Sequence, residues 1–145
     1  MSFDRLLAFA QLQAIPLAAL VALTVAIIVS EVMRRLTGYK RLSPSELTAL
    51  VNREDALVLD VSPTSDFEKG HIAGAKNVQM SQFDADNKVL AKVRELPVAV
   101  VCRSGSTSSE AARKLAKAGF KQVYWLDGGL AAWQQANLPL VKGRA

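Results

Sequence analysis

Hydrophobic positions along this chain fall into two regimes. Between Leu6 and Ser30 they form one apolar stretch without a charged residue. Beyond Lys40 they come in short blocks bounded by Gly, Pro, Ser, Asp and Asn. Residues 56–61 and 97–101 are nearly continuous apolar runs, as expected of parallel strands covered on both faces. Residues 76–79 and 122–126 predict two further strands. Between them, Ser43-Pro44-Ser45-Glu46 is a helix start with an N-cap, a first-turn proline and a capping box, followed by an apolar face of Leu47, Leu50 and Val51. Residues 87–96, with Val89, Leu90 and Val93 inward, residues 108–118, closed by Gly119, and residues 130–136 predict three more helices. Residues 62–66, 70–75 and 127–129 read as turns or loops. Strands alternating with helices imply an α/β domain with a mainly parallel central sheet flanked by helices.

The first regime is long enough to change the picture. A helix of roughly 20 apolar residues spans a hydrocarbon core of about 30 Å. Residues 6–30 therefore predict one N-terminal transmembrane helix; Pro16 inside it is tolerated in a membrane. A cleaved signal peptide fits less well, because Asp4 and Arg5 precede a long apolar core and no Ala-x-Ala pattern follows. Arg34, Arg35, Lys40 and Arg41 lie on the carboxyl side against only Arg5 and the terminal amine on the other. Positive charge stays inside, which directs the C-terminal domain to the cytoplasm. The 145 residues thus divide into an anchor with its basic juxtamembrane segment at 1–36, a linker at 37–41 and a globular domain at 42–145.

Composition adds little beyond this. The net charge of +5 is partly that juxtamembrane cluster, and aromatics make up only 6%. Basic and acidic residues are otherwise interleaved, so no nucleic-acid partner is expected. The chain has one cysteine and so no intramolecular disulfide, which suits a reducing compartment.

That cysteine carries the candidate chemistry. Cys102 ends the apolar run 97–101 and begins the polar loop Arg103-Ser104-Gly105-Ser106-Thr107, after which a helix starts. Gly105 permits a tight turn, and the N–H groups of Ser104, Ser106 and Thr107 can converge as an anion-binding nest. Thr107-Ser108-Ser109-Glu110 offers a second capping box, which would start the helix beside the thiol. An amide nest and a helix N-terminus favour a sulfur anion and an anionic ligand.

From about Leu42 to Val141 the chain resembles the rhodanese-like sulfurtransferase domain family. The resemblance is carried by Leu59-Asp60-Val61, by Gly70-His71-Ile72-x-Gly74-Ala75-x-Asn77, by the loop Cys102 to Thr107, and by Leu126-Asp127-Gly128-Gly129-Leu130-x-x-Trp133. The anchored arrangement is similar to the small membrane-tethered rhodaneses of bacteria, which implies the bacterial inner membrane. The resemblance implies that Cys102 attacks the outer sulfur of a donor such as thiosulfate, becomes a persulfide and passes sulfur to a thiophilic acceptor. It implies no metal or organic cofactor. Loop amides would stabilise the persulfide, Arg103 would meet the donor's charge, and Asp60 and His71 would support loops. One departure is Ser62, where many members have an arginine.

Two alternatives frame this reading. Phosphatases of related architecture need Cys-x5-Arg, whose arginine clamps phosphate bidentately, and here Ser108 stands in that place. A membrane-tethered interaction module, docking a membrane protein partner with little or no catalysis, would use the same fold. It is motivated by the anchor, which small-molecule chemistry does not require.

Overall fold

Strand β4 (Pro97–Val101) is the centre of the globular domain, and its residues Val98 to Val101 have no exposed surface. The structure, a computed structural model, describes residues 2–12, 14–84 and 87–144. The chain divides into two compact units between Leu36 and Thr37.

The first unit holds α1 (Phe3–Leu12) and α2 (Ala14–Leu36). Within α2, Ala14–Met33 supplies 20 residues long and apolar enough to cross a bilayer. Its large side chains, such as Ile15, Leu20 and Ile27, are exposed, so it is no buried core helix. This span differs from the expected residues 6–30, of which Gln13 lies outside the described residues. With α2 starting at Ala14, Pro16 falls in its first turn, where a missing N–H costs no helical hydrogen bond.

In the second unit five strands form one sheet: β1 (Tyr39–Leu42), β2 (Leu57–Asp60), β3 (Lys76–Asn77), β4 and β5 (Gln122–Leu126), in the order β1-β5-β4-β2-β3. All neighbouring pairs are parallel. Alternation along β4 sends Val98 and Val100 to one face and Ala99 and Val101 to the other. The first face packs on α5 (Lys88–Ala91) and α6 (Ser106–Lys117) through Leu90, Ala111, Ala112 and Leu115. The second packs on α3 (Pro44–Glu54), α4 (Thr64–Lys69) and α7 (Gly129–Gln135) through Leu47, Phe67, Leu130 and Trp133. Each buried aliphatic side chain contributes roughly 1.5–3 kcal/mol. The strand that ends at Cys102 is thereby held on both sides.

Several local expectations need correction. Residues 39–41, expected as linker, belong to edge strand β1, whose Tyr39 to Leu42 pair with Val123 to Leu126. Lys40 and Arg41 are exposed there, as charges on an edge strand are, and this hides the strand among polar residues. Residues 64–66, part of the expected turn 62–66, open α4, a six-residue helix that buries only Phe67 and so shows no apolar period. The helix expected over 87–96 is helical only over Lys88–Ala91. It is capped by Asn87 Oδ1 accepting from Val89 N at 2.9 Å, and Pro97 disfavours helix in the residue before it. By contrast, the Ser43–Glu46 capping box is present: the Ser43 backbone N–H donates to Glu46 at 2.7 Å. Those hydrogen bonds hold the Glu46 carboxyl below its ordinary pKa.

Candidate active site

Chain topology makes the crevice. Strands β2 and β4 are neighbours, yet the chain leaves β2 toward α4 on one face and β4 toward α6 on the other. Where successive connections part in this way, the carboxyl ends of the strands border a cleft. A cavity of about 370 Å³ lies there, with Val61, Ser62 and Pro63 on the β2 side and Cys102, Arg103 and Thr107 on the β4 side. Met80 and Gln79, which follow β3, close a further wall.

Cys102 is 4% exposed, and its sulfur is surrounded by donors. The backbone N–H of Gly105 donates to Sγ at 3.0 Å and that of Ser108 at 3.4 Å. The thiol in turn donates to Ser108 Oγ at 3.5 Å, and that hydroxyl donates to the Gly105 carbonyl at 3.0 Å. Gly105 adopts φ +94°, which a side chain rarely takes, and an added Cβ would lie 3.1 Å from the Gly128 nitrogen. Gly105 is itself the N-cap, so α6 begins at Ser106 without a side-chain cap. The expected start at Ser108 and the Thr107–Glu110 capping box are corrected accordingly. The amides reaching sulfur are those of Gly105 and Ser108, whereas the expected nest used Ser104, Ser106 and Thr107. Ser104 and Ser106 instead place their hydroxyls 3.1 Å apart, and Thr107 lines the cavity.

Arg103 turns its guanidinium to the rim, 3.7 Å from Asp66 Oδ1, with its side chain 70% exposed. Asp66, on the first turn of α4, also lies 3.4 Å from Lys69 Nζ. The position that would hold a phosphatase arginine is Ser108, buried and bonded to the Gly105 carbonyl.

Asp60 and His71 sit apart from the sulfur. One residue before Val61, Asp60 points to the α4 face and is fully buried. Its Oδ1 accepts from the Ser62 backbone N–H at 2.8 Å, and Asn77 Nδ2 donates to the carbonyls of Asp60 and Ser62 at 3.1 and 2.9 Å. These bonds shape the turn that walls the cavity. Asp60 Oδ2 and Ser62 Oγ are buried without a hydrogen-bond partner among the described residues. Burial pushes the Asp60 carboxyl above the usual carboxylate range, against the neighbouring Ser62 hydroxyl and backbone N–H, which lower it. His71 lies outside the cavity lining. Its Nδ1 is 2.8 Å from the Phe67 carbonyl, its ring stacks on Phe67 at 3.8 Å, and its backbone pairs with Val141.

A group whose folded pKa is raised binds its proton more tightly in the native state, so rising pH costs stability from about the unfolded value upward. Asp60→Asn keeps an acceptor for the Ser62 N–H and removes the buried charge. The variant is therefore expected to have a higher Tm than the parent chain at pH 7 and no such advantage at pH 4. Thermal melts at both pH values check this.

Sequence patterns leave part of the site unmarked. The first amides of α7 hold the loop from below: Leu130 N donates to the Cys102 carbonyl at 2.9 Å and Ala131 N to the Arg103 carbonyl at 3.2 Å. Gly129, at φ +60°, passes so close that a Cβ would overlap the Cys102 carbonyl oxygen. The paired glycines before a helix are the available signal; in sequence they belong to the Leu126–Trp133 pattern and read as a turn, without a contact to the Cys102 loop.

The profile of the rhodanese-like domain matches residues 43–136. The chain belongs to the rhodanese-like domain family. It is 43% identical over 127 residues to uncharacterized protein YibN of Escherichia coli strain K12, covering 87% of this chain and 89% of that one. The thiosulfate sulfurtransferase GlpE of Shewanella oneidensis is 34% identical over 107 residues, 70% of this chain and 99% of the relative. Among solved structures, a rhodanese-related protein from Thermoplasma volcanium superposes with TM-score 0.62 at 26% identity, covering 71% of this chain and 98% of the other. The all-parallel sheet with helices on both faces is the fold of this rhodanese-like domain.

Proposed function

We propose that this chain is a membrane-anchored sulfurtransferase in which Cys102 carries sulfane sulfur as a persulfide. The observation that supports this most is the pair of backbone N–H groups directed at Cys102 Sγ on the floor of an open cleft. Donors so placed stabilise negative charge on sulfur before and after transfer without moving. With thiosulfate as donor, the Cys102 thiolate attacks the outer sulfur, a new S–S bond forms, the donor's S–S bond breaks, and sulfite leaves with the electron pair. An acceptor thiolate then attacks the outer sulfur of the persulfide and restores Cys102. This is nucleophilic catalysis in which the thiol is activated by the donors of its own loop. The similarity to a relative named thiosulfate sulfurtransferase, at 34% identity, points the same way.

The test uses the single cysteine. Incubation of the purified full chain with thiosulfate should add one sulfur atom to Cys102 by intact-protein mass spectrometry, and cyanide or a thiol should remove it. No addition from any sulfane donor to a cooperatively folded chain would sink the enzymatic reading.

In this reading α2 is a single-pass anchor in a bacterial inner membrane, and the positive charges of Arg34, Arg35, Lys40 and Arg41 hold the catalytic domain in the cytoplasm. A reporter fused after the C-terminus should be active on the cytoplasmic side. Activity on the outer side would reverse the orientation.

A further inference from the structure

Helix α1 is a second apolar element next to the candidate span. Phe3, Leu6, Leu7 and Phe9 follow the three- and four-residue spacing of one helical face. Asp4, Arg5, Ala8 and Gln11 lie on the opposite face. Leu12, adjoining the span, is the one large apolar residue outside this division. Leu6 and Leu7 are 51% and 48% exposed, and Phe3 and Phe9 more so, so α2 does not cover the stripe.

Water, the bilayer core and the bilayer surface could each surround such a helix, and two of them fit badly. In water, four large apolar side chains on one face would form an uncovered patch. In the core, the 20 residues Ala14–Met33 already rise about 30 Å, the full hydrocarbon thickness. A single span from Phe3 to Met33 would measure about 46 Å and need a tilt of about 50°, beyond the usual range of about 0–40°. It would also carry Asp4 and Arg5 toward hydrocarbon. The surface suits both faces at once. Because α1 holds one acid and one base, its charges give anionic headgroups no advantage.

We propose that α1 is an interfacial helix lying along the bilayer surface at the amino end of α2, with Phe3, Leu6, Leu7 and Phe9 sunk at the boundary of headgroups and acyl chains, held by apolar contact whatever the headgroup charge. This rests on the reading of α2 as a membrane anchor and adds a second contact of different geometry, continuous with it. Lying flat, α1 limits the depth of α2, since drawing α2 further into the bilayer would pull Asp4 and Arg5 into hydrocarbon.

The test uses the full chain with Cys102→Ser, so that one introduced cysteine carries a fluorophore, in phosphatidylcholine vesicles. Leu6→Cys and Phe9→Cys sample the stripe, Ala8→Cys and Gln11→Cys the opposite face, and Leu23→Cys the span. Lipids brominated near the top or near the end of the acyl chain report depth, and iodide on both sides of the membrane reports water. The Leu6 and Phe9 labels should be quenched most by the shallow bromines. Iodide should quench the Ala8 and Gln11 labels at least about fivefold more strongly than those two. The pattern should hold within about twofold when phosphatidylglycerol is mixed in. A depth that increases steadily from position 6 to position 11 would make α1 part of the span and overturn the assignment. Equal iodide quenching at all four α1 positions would leave α1 in water, and shielding from both iodide and bromines would place a second copy of the chain on the stripe; either result also overturns it. So does protection that appears only with phosphatidylglycerol. Cys102→Ala replaces Cys102→Ser if that chain fails to unfold cooperatively. If the Leu23 label is itself open to iodide, the anchor reading has failed, which is a separate result.

Discussion

Cys102→Ser is expected to remove sulfur loading entirely, at least about 1,000-fold in rate, because a serine hydroxyl is far less nucleophilic and forms no persulfide. The fold should survive. The replaced atom is buried at 4% exposure, and the Gly105 and Ser108 amides that donate to Sγ can donate to Oγ instead. Stability should therefore change by no more than about 1 kcal/mol. Sulfur transfer assays and denaturant unfolding of the same preparation separate the two effects. A cellular phenotype that persists in Cys102→Ser would assign the protein's role to docking instead of sulfur transfer.

Gly129→Ala should do the reverse, disturbing the fold to reach the thiol. Three backbone atoms of Cys102 and Arg103 lie within 2.7 Å of where the new Cβ would stand. None belongs to a flexible side chain, so either α7 or the Cys102 loop must move. The residue also holds φ +60°, a left-handed conformation that costs an alanine about 1 kcal/mol by itself. Added to the overlap, the expected loss is about 3 kcal/mol. Movement of α7 would also withdraw the Leu130 and Ala131 amides from the Cys102 and Arg103 carbonyls. Sulfur loading of whatever remains folded should fall together with the unfolding midpoint. Normal stability with normal loading would show that the two segments are not in this contact.

Both losses expected of Gly129→Ala arise where two loops far apart in sequence touch. Such contacts explain what can and cannot be read from the chain. The run Pro97–Val101 announces a buried parallel strand because both its faces are covered, and Cys102 at its end follows directly. The Ser43–Glu46 cap is equally legible, since a capping box is completed within one helical turn. Strand β1 is not, because an edge strand of Tyr39-Lys40-Arg41-Leu42 gains its identity only by pairing with β5, much later in the chain. Helix α4 stays hidden for a related reason: with one buried residue, it has no period to detect.

The same division holds within the candidate site. Residue type and spacing mark the candidate nucleophile, the tight turn at Gly105, the absence of a phosphate-clamping arginine at position 108 and an apolar helix able to span a bilayer. These are local properties, fixed by covalent neighbours and short-range sterics. Only the folded sheet decides that the amides of Gly105 and Ser108 meet the sulfur, that Asp60 faces away from it, and that Asp66 confronts Arg103 at the rim. Side-chain alternation on β2 and the opposite exits from β2 and β4 set those outcomes. They depend on which strands become neighbours, and long-range hydrophobic burial decides that.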